Sequence, residues 1–216
     1  TTVEQTKKNL QTAAAKIEVE TTGIAEGTLT AEVSISNLAG HKLPSAYPSR
    51  RVWLHVTVRD ASGLPVFESG RFQEDGSIAG NDNDADAARF EPHYQEIRSP
   101  DQVQIYEPIL ADPEGAVTTV LLSALSYAKD NRLLPTGFDK STAEEAIAVN
   151  GKAGADVDFV AGGDRVRYEV DTGDAEGPFS VEAELWYQPV GYRWAHNLAD
   201  QDAAEIGRRE ERARAA

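Results

Sequence analysis

RVWLHVTVRD, residues 51–60, alternates without a break: Val52, Leu54, Val56 and Val58 fall on one side of an extended chain, and Trp53, His55, Thr57 and Arg59 on the other. A two-residue period belongs to a strand half-buried against a core, because successive side chains point to opposite faces. Upstream, TLTAEVSIS (28–36) repeats the pattern with Leu29, Ala31, Val33 and Ile35 against Thr30, Glu32 and Ser34. Downstream, Ala61-Ser62-Gly63 supplies turn chemistry and PVFES (65–69) reads as the returning hairpin partner. Two later segments are equally plain. DRVRYEV (164–170) aligns Val166, Tyr168 and Val170, and PFSVEAELWYQ (178–188) aligns Phe179, Val181, Ala183, Leu185 and Tyr187.

The stretch AVTTVLLSALSYA (116–128) is less decided. Val117, Val120, Leu121, Ala124 and Leu125 have helical spacing, whereas Thr118, Thr119 and Val120 are β-branched, and a strand is expected. The opening TTVEQTKKNLQTAAAKIEVE begins as a helix, with Thr2 as N-cap three residues before Gln5, and changes character near Lys16. Residues 70–101 form a long polar excursion of the kind that is either functional or disordered. The expected fold is therefore mainly β: one immunoglobulin-like antiparallel β-sandwich domain over residues 1–216. A helix occupies 1–15, the sandwich 16–190, and a C-terminal helix with a solvated tail 191–216.

At 216 residues the chain can bury about 70% of the surface its unfolded form exposes, so a real core is expected. No apolar run approaches the roughly 20 residues of a membrane-spanning helix. A net charge of −15 argues against nucleic-acid binding, which needs clustered Lys and Arg to displace counterions. The absence of cysteine excludes disulfides, thiolate metal sites, cysteine nucleophiles and covalent haem attachment in this chain. A chain without methionine that begins at Thr1 reads as a processed product or a fragment.

Two regions attract a functional reading. In NLAGHKLPSAYPSRR (37–51), Gly40 and Pro44 stiffen a loop that presents His41. That imidazole either ligates iron in a partner or bonds loop carbonyls. Arg50 and Arg51 either clamp a carboxylate or haem propionate, or pair with an internal acid. Within the polar excursion, Asp75, Asn81, Asp82, Asn83, Asp84 and Asp86 supply hard oxygen donors suited to calcium, or else a solvated acidic turn. An EF-hand is excluded, since Ala87 and His93 stand where its glycine and bidentate Glu belong. Of the other histidines, His55 reads as a surface residue, His93 in FEPHY as packed and hydrogen-bonded, and His196 as packed. No zinc spacing, serine-nucleophile elbow or phosphate-binding glycine motif is present, so no catalytic residue is assigned.

Six ordered motifs carry a resemblance. NLAGHKLPSAYPSRRVWLHVTVRD, GNDNDADAARFEPHY, QVQIYE, KDNRLLPTGFDK, GGDRVRYEV and LWYQPVGYRW together resemble the haem-free, β-rich C-terminal region of a family of bacterial multihaem c-type cytochromes, over residues 15–198. In that family a block of Cys-x-x-Cys-His motifs precedes the β-rich region, and this chain has none. The resemblance implies a non-catalytic accessory domain in electron transfer, exported to the periplasm or cell exterior. Its partner would be a multihaem c-type cytochrome, upstream in the same polypeptide or a separate subunit, and haem would sit only there. The alternative is a calcium-dependent surface-binding or adhesion module, with Trp53 and Trp186 meeting a ligand.

Overall fold

The computed structural model describes residues 1–197, apart from the Thr22 side chain. Helix α1 spans Thr2–Asn9 and continues as one wider turn, Leu10–Ala14. Its cap lies one residue earlier than expected: Thr1 accepts from the Glu4 amide, and Glu4 reaches back to the terminal amine. Strands β1 (Ala15–Ala25) and β2 (Thr28–Asn37) pair across Glu26 and Gly27, both at positive φ (52° and 76°). That mirror-image turn matches the right-handed twist of its strands.

The first sheet has the order β1-β2-β10-β5, where β10 is Gly163–Asp171 and the short β5, Glu96–Ile97, runs parallel to it. The second runs β11-β3-β4, with β3 at Arg51–Arg59, β4 at Pro65–Ser69 and β11 at Ser180–Gln188; β6 (Ile105–Tyr106) pairs with β3 beside Val52 and Trp53. A third, small sheet joins β8 (Val117–Thr118), β7 (Pro108–Ala111) and β9 (Ser126–Asp130). One core unites the inner faces of the first two sheets: Leu29, Val33 and Ile35 meet Val52, Leu54, Val56 and Val58, with Val166, Tyr168 and Val170 beside them. The coarse expectation of a mainly β, sandwiched chain therefore holds. An immunoglobulin-like strand order is not established by these pairings, which include a parallel pair and a third sheet.

Two expectations need correction. The face of β3 carrying Trp53 is not open to solvent: Ile78 from the polar excursion, with Val103 and Ile105 that follow the excursion, covers it and leaves Trp53 1% exposed. Between Val117 and Tyr127 the chain is not one strand, because a turn at Val120–Ala124 separates β8 from β9. The C-terminal helix is described only as Tyr192–His196, and the expected solvated tail beyond Asn197 lies outside the described residues. A short helix, α2 (Asp82–Ala85), sits inside the polar excursion, which is ordered by its own contacts. Close backbone approach explains two glycines. A Cβ on Gly70 (φ +79°) or on Gly163 would fall 2.2 Å from the carbonyl oxygen of Leu54 or Ile35.

Candidate functional site

Side chains from five separate segments converge on His93. Its Nε2 lies 3.0 Å from Asp156 Oδ2 and 3.7 Å from Asp164 Oδ2. Its Nδ1 faces two amide nitrogens, Gln104 Nε2 at 2.9 Å and Asn131 Nδ2 at 3.1 Å. Asp164 Oδ2 accepts from Tyr106 Oη (2.7 Å) and Gln104 Nε2 (3.2 Å). None of these six side chains belongs to a residue more than 5% exposed, and Phe159 closes one side with its ring 4.9 Å from the imidazole.

Local structure explains the convergence. Asp164 shares the parity of Val166, Tyr168 and Val170 on β10, so the pleat turns it inward. Asp156 sits in the connection that precedes β10, which Lys140 gathers by donating from Nζ to the carbonyls of Phe159 (2.8 Å) and Asp156. His93 is held from its own loop: Glu91 accepts from Tyr94 Oη (2.7 Å) and from the Asp82 amide (3.1 Å).

These contacts fix the proton on the ring. Gln104 Oε1 accepts from the Tyr94 amide (2.9 Å), and Asn131 Oδ1 accepts from the Glu107 amide (3.0 Å), so both side-chain amides must point their NH2 groups inward. Nδ1 of His93 is therefore an acceptor, and Nε2–H donates to Asp156. Burial holds the imidazole down to about 4, outweighing the Asp156 charge that acts the other way, and the ring is neutral. Burial raises the Asp164 carboxyl to about 7. Asp164 therefore takes up a proton more readily than an ordinary carboxyl, beside a neutral imidazole.

By distance alone His93, Asp156 and Asp164 are close enough for a metal ion, their ligand atoms lying within 4.8 Å of one another. The hydrogen bonds do not fit one. A metal-bound imidazole keeps its second nitrogen protonated and donates that proton to an acceptor. Here the second nitrogen already faces two donors, and metal at Nε2 would set N–H against N–H. The arrangement serves as a buried polar joint.

Of the residues expected to bind metal, Asp75, Asn81, Asp82 and Asp84 line one open cleft, while those expected to face a cofactor have separate partners. His41 is exposed, with Nδ1 3.0 Å from the Lys42 carbonyl, and Arg50 donates to the Ser45 carbonyl at 3.0 Å. Arg51 is buried and forks onto Asp84, Nη1 to Oδ1 at 2.7 Å and Nη2 to Oδ2 at 2.8 Å, with Nε on Gln188. One half of the expected haem-facing pair thus neutralises a member of the acidic loop. The rest of that loop is also occupied. Asp75 accepts from Ser77, Asn81 caps α2 at the Asn83 amide, Asp82 pairs with Arg89, Asn83 donates to the Arg89 carbonyl, and Asp86 accepts from the Ala88 amide.

Other histidines are local. His55 lies between Glu184 (3.1 Å) and Glu68 (3.0 Å) on the outer sheet face, and His196 is exposed against Tyr192.

No protein-family model matches the chain. No curated protein matches it in sequence. Among solved structures, part of a penta-haem cytochrome c552 from Thermochromatium tepidum is similar, with a TM-score of 0.54 and 18% sequence identity. The likeness covers 92% of this chain and 38% of that one. At that identity it is a likeness of fold, and the chain spans well under half of the protein it resembles.

Proposed function

We propose that this chain is a non-catalytic, exported accessory domain that packs against or recruits a multihaem c-type cytochrome. One observation carries the reading: nearly all of the chain takes the fold of a 38% portion of a penta-haem cytochrome, while the chain itself holds no cysteine to anchor haem. The disposition of its polar groups supports a structural role. Four pairs of inward acids and bases face one another: His93 with Asp156, Arg51 with Asp84, Lys129 with Glu107 at 3.3 Å, and Lys42 with Asp130 at 2.8 Å. A net charge of −15 favours a basic partner surface and a salt-sensitive encounter.

The test is sedimentation velocity of the purified chain mixed with a purified multihaem c-type cytochrome, followed at the haem absorption band. The expected result is a faster-moving haem boundary that weakens with salt. Steady turnover of a small substrate by the chain with no cytochrome present would overturn the reading, as would a haem boundary that does not move. Cell fractionation, with the chain expected outside the cytoplasm, checks export separately.

A further inference from the structure

The turn between β8 and β9 exposes more apolar surface than its surroundings account for. Val120, Leu121, Leu122 and Leu125 are 58%, 44%, 102% and 74% exposed, within six residues of chain. Large side chains left together in water mark an interface more often than a free surface. The turn is also built to hold them there. Thr118 Oγ1 accepts from the Val120 amide (3.1 Å), Ser123 returns both its amide and its hydroxyl to the Val120 carbonyl, and the Leu125 amide bonds the Ala111 carbonyl at 2.9 Å. Braced by these bonds, the finger presents leucines in an already folded turn, which lowers the cost of binding. Asn197 donates to Thr119 and ties the end of α3, Tyr192–His196, to its base.

Charge limits what can cover it. Between Asp112 and Ala128 there are two acids, Asp112 and Glu114, and no Lys or Arg. The finger flanks an open groove of about 700 Å³ whose far wall carries Glu144 and Glu145, both exposed. An apolar centre beside a groove whose charged lining is acidic matches a protein face with an apolar recess ringed by Lys or Arg. It would be repelled from an anionic lipid surface, and a second copy would set acid against acid.

We infer that the Val120–Leu125 finger and the adjoining Glu144–Glu145 groove are the face on which this domain receives a basic-rimmed cytochrome; the inference rests on the function proposed above. The test compares wild type with Leu122→Glu, Leu125→Glu and the double change Glu144→Lys/Glu145→Lys, titrated by calorimetry against a purified net-basic multihaem c-type cytochrome. These side chains are exposed, so melting temperatures should stay at the wild-type value. Each leucine variant should weaken binding tenfold or more, and the charge reversal should weaken it and flatten its salt dependence. Wild-type binding that all three variants retain within about twofold would overturn this face and leave the proposed function standing. If wild type binds no cytochrome, both fall together. Flotation of the chain with anionic vesicles, or concentration-dependent dimerisation lost in Leu122→Glu, would also overturn the inference.

Discussion

Replacing Asp164 with Asn should make stability climb with pH over a range where the wild type is nearly level. The folded carboxyl titrates at about 7 against an ordinary 3.8, so between those values the folded chain holds a proton that the unfolded chain has released. Stability from this group is therefore lost as pH rises. His93 works in the opposite sense. Its folded value of about 4 lies below the ordinary 6.5, so between them the unfolded chain holds the extra proton and stability is gained as pH rises. Each pH unit over which the two states differ by one proton changes stability by about 1.4 kcal/mol. Between about pH 5 and pH 8 the Asp164 contribution falls by about 3 kcal/mol and that of His93 rises by about 2 kcal/mol.

Wild type should consequently be nearly flat over that window, to within about 1 kcal/mol from these two groups. Asp164→Asn removes the falling part and should become more stable by about 2 kcal/mol from pH 5 to pH 8, whatever constant cost it carries from losing the bond to the Arg165 amide. His93→Gln removes the rising part and should lose about 3 kcal/mol over the same range. Urea denaturation at a series of pH values, followed by tryptophan fluorescence, measures all three. Parallel curves for wild type and both variants would refute the assignment of the proton to Asp164.

Breaking the buried Arg51–Asp84 fork with Arg51→Ala leaves an unpaired carboxylate and should cost about 3–5 kcal/mol in chemical denaturation. The Tyr168 hydroxyl is buried without a hydrogen-bond partner among the described residues, so Tyr168→Phe should leave the midpoint unchanged or raise stability by up to about 1 kcal/mol, and a clear loss would mean the hydroxyl is satisfied in solution. Gly163→Ala drives a methyl group against the Ile35 carbonyl and should disrupt the β2–β10 pairing, read as lost hydrogen-exchange protection at Ser34 and Ile35. Calcium added to the chain should release no binding heat, because Asp82, Asp84 and Asp86 already have protein partners; heat lost on Asp84→Ala would contradict this.

The sheets were legible because one face of each long strand is apolar over several pleats. Leu29 to Ile35 and Val166 to Val170 announce their inner faces. The same parity places Asp164 indoors, and this was the available signal for the buried cluster: a strand of inward Val and Tyr that starts with an inward Asp needs a partner inside. Asp156, Gln104 and Asn131 gave no such sign, since each sits outside a strand and meets His93 only through tertiary folding. The partners of the acidic loop were hidden for a related reason. Composition shows how many oxygens are present but not that Arg51, 33 residues away, already occupies Asp84. In the 116–128 segment, local preference favoured a strand, and the Ser123 and Thr118 hydroxyls closed a turn instead.

Besides Tyr106, the joint around His93 draws on positions 93, 104, 131, 156 and 164, none of which can change its hydrogen-bonding role without stranding a neighbour indoors. Descendants of this chain should inherit all five together or trade them jointly for hydrocarbon, which makes the combination a better marker of common descent than any surface stretch of equal length.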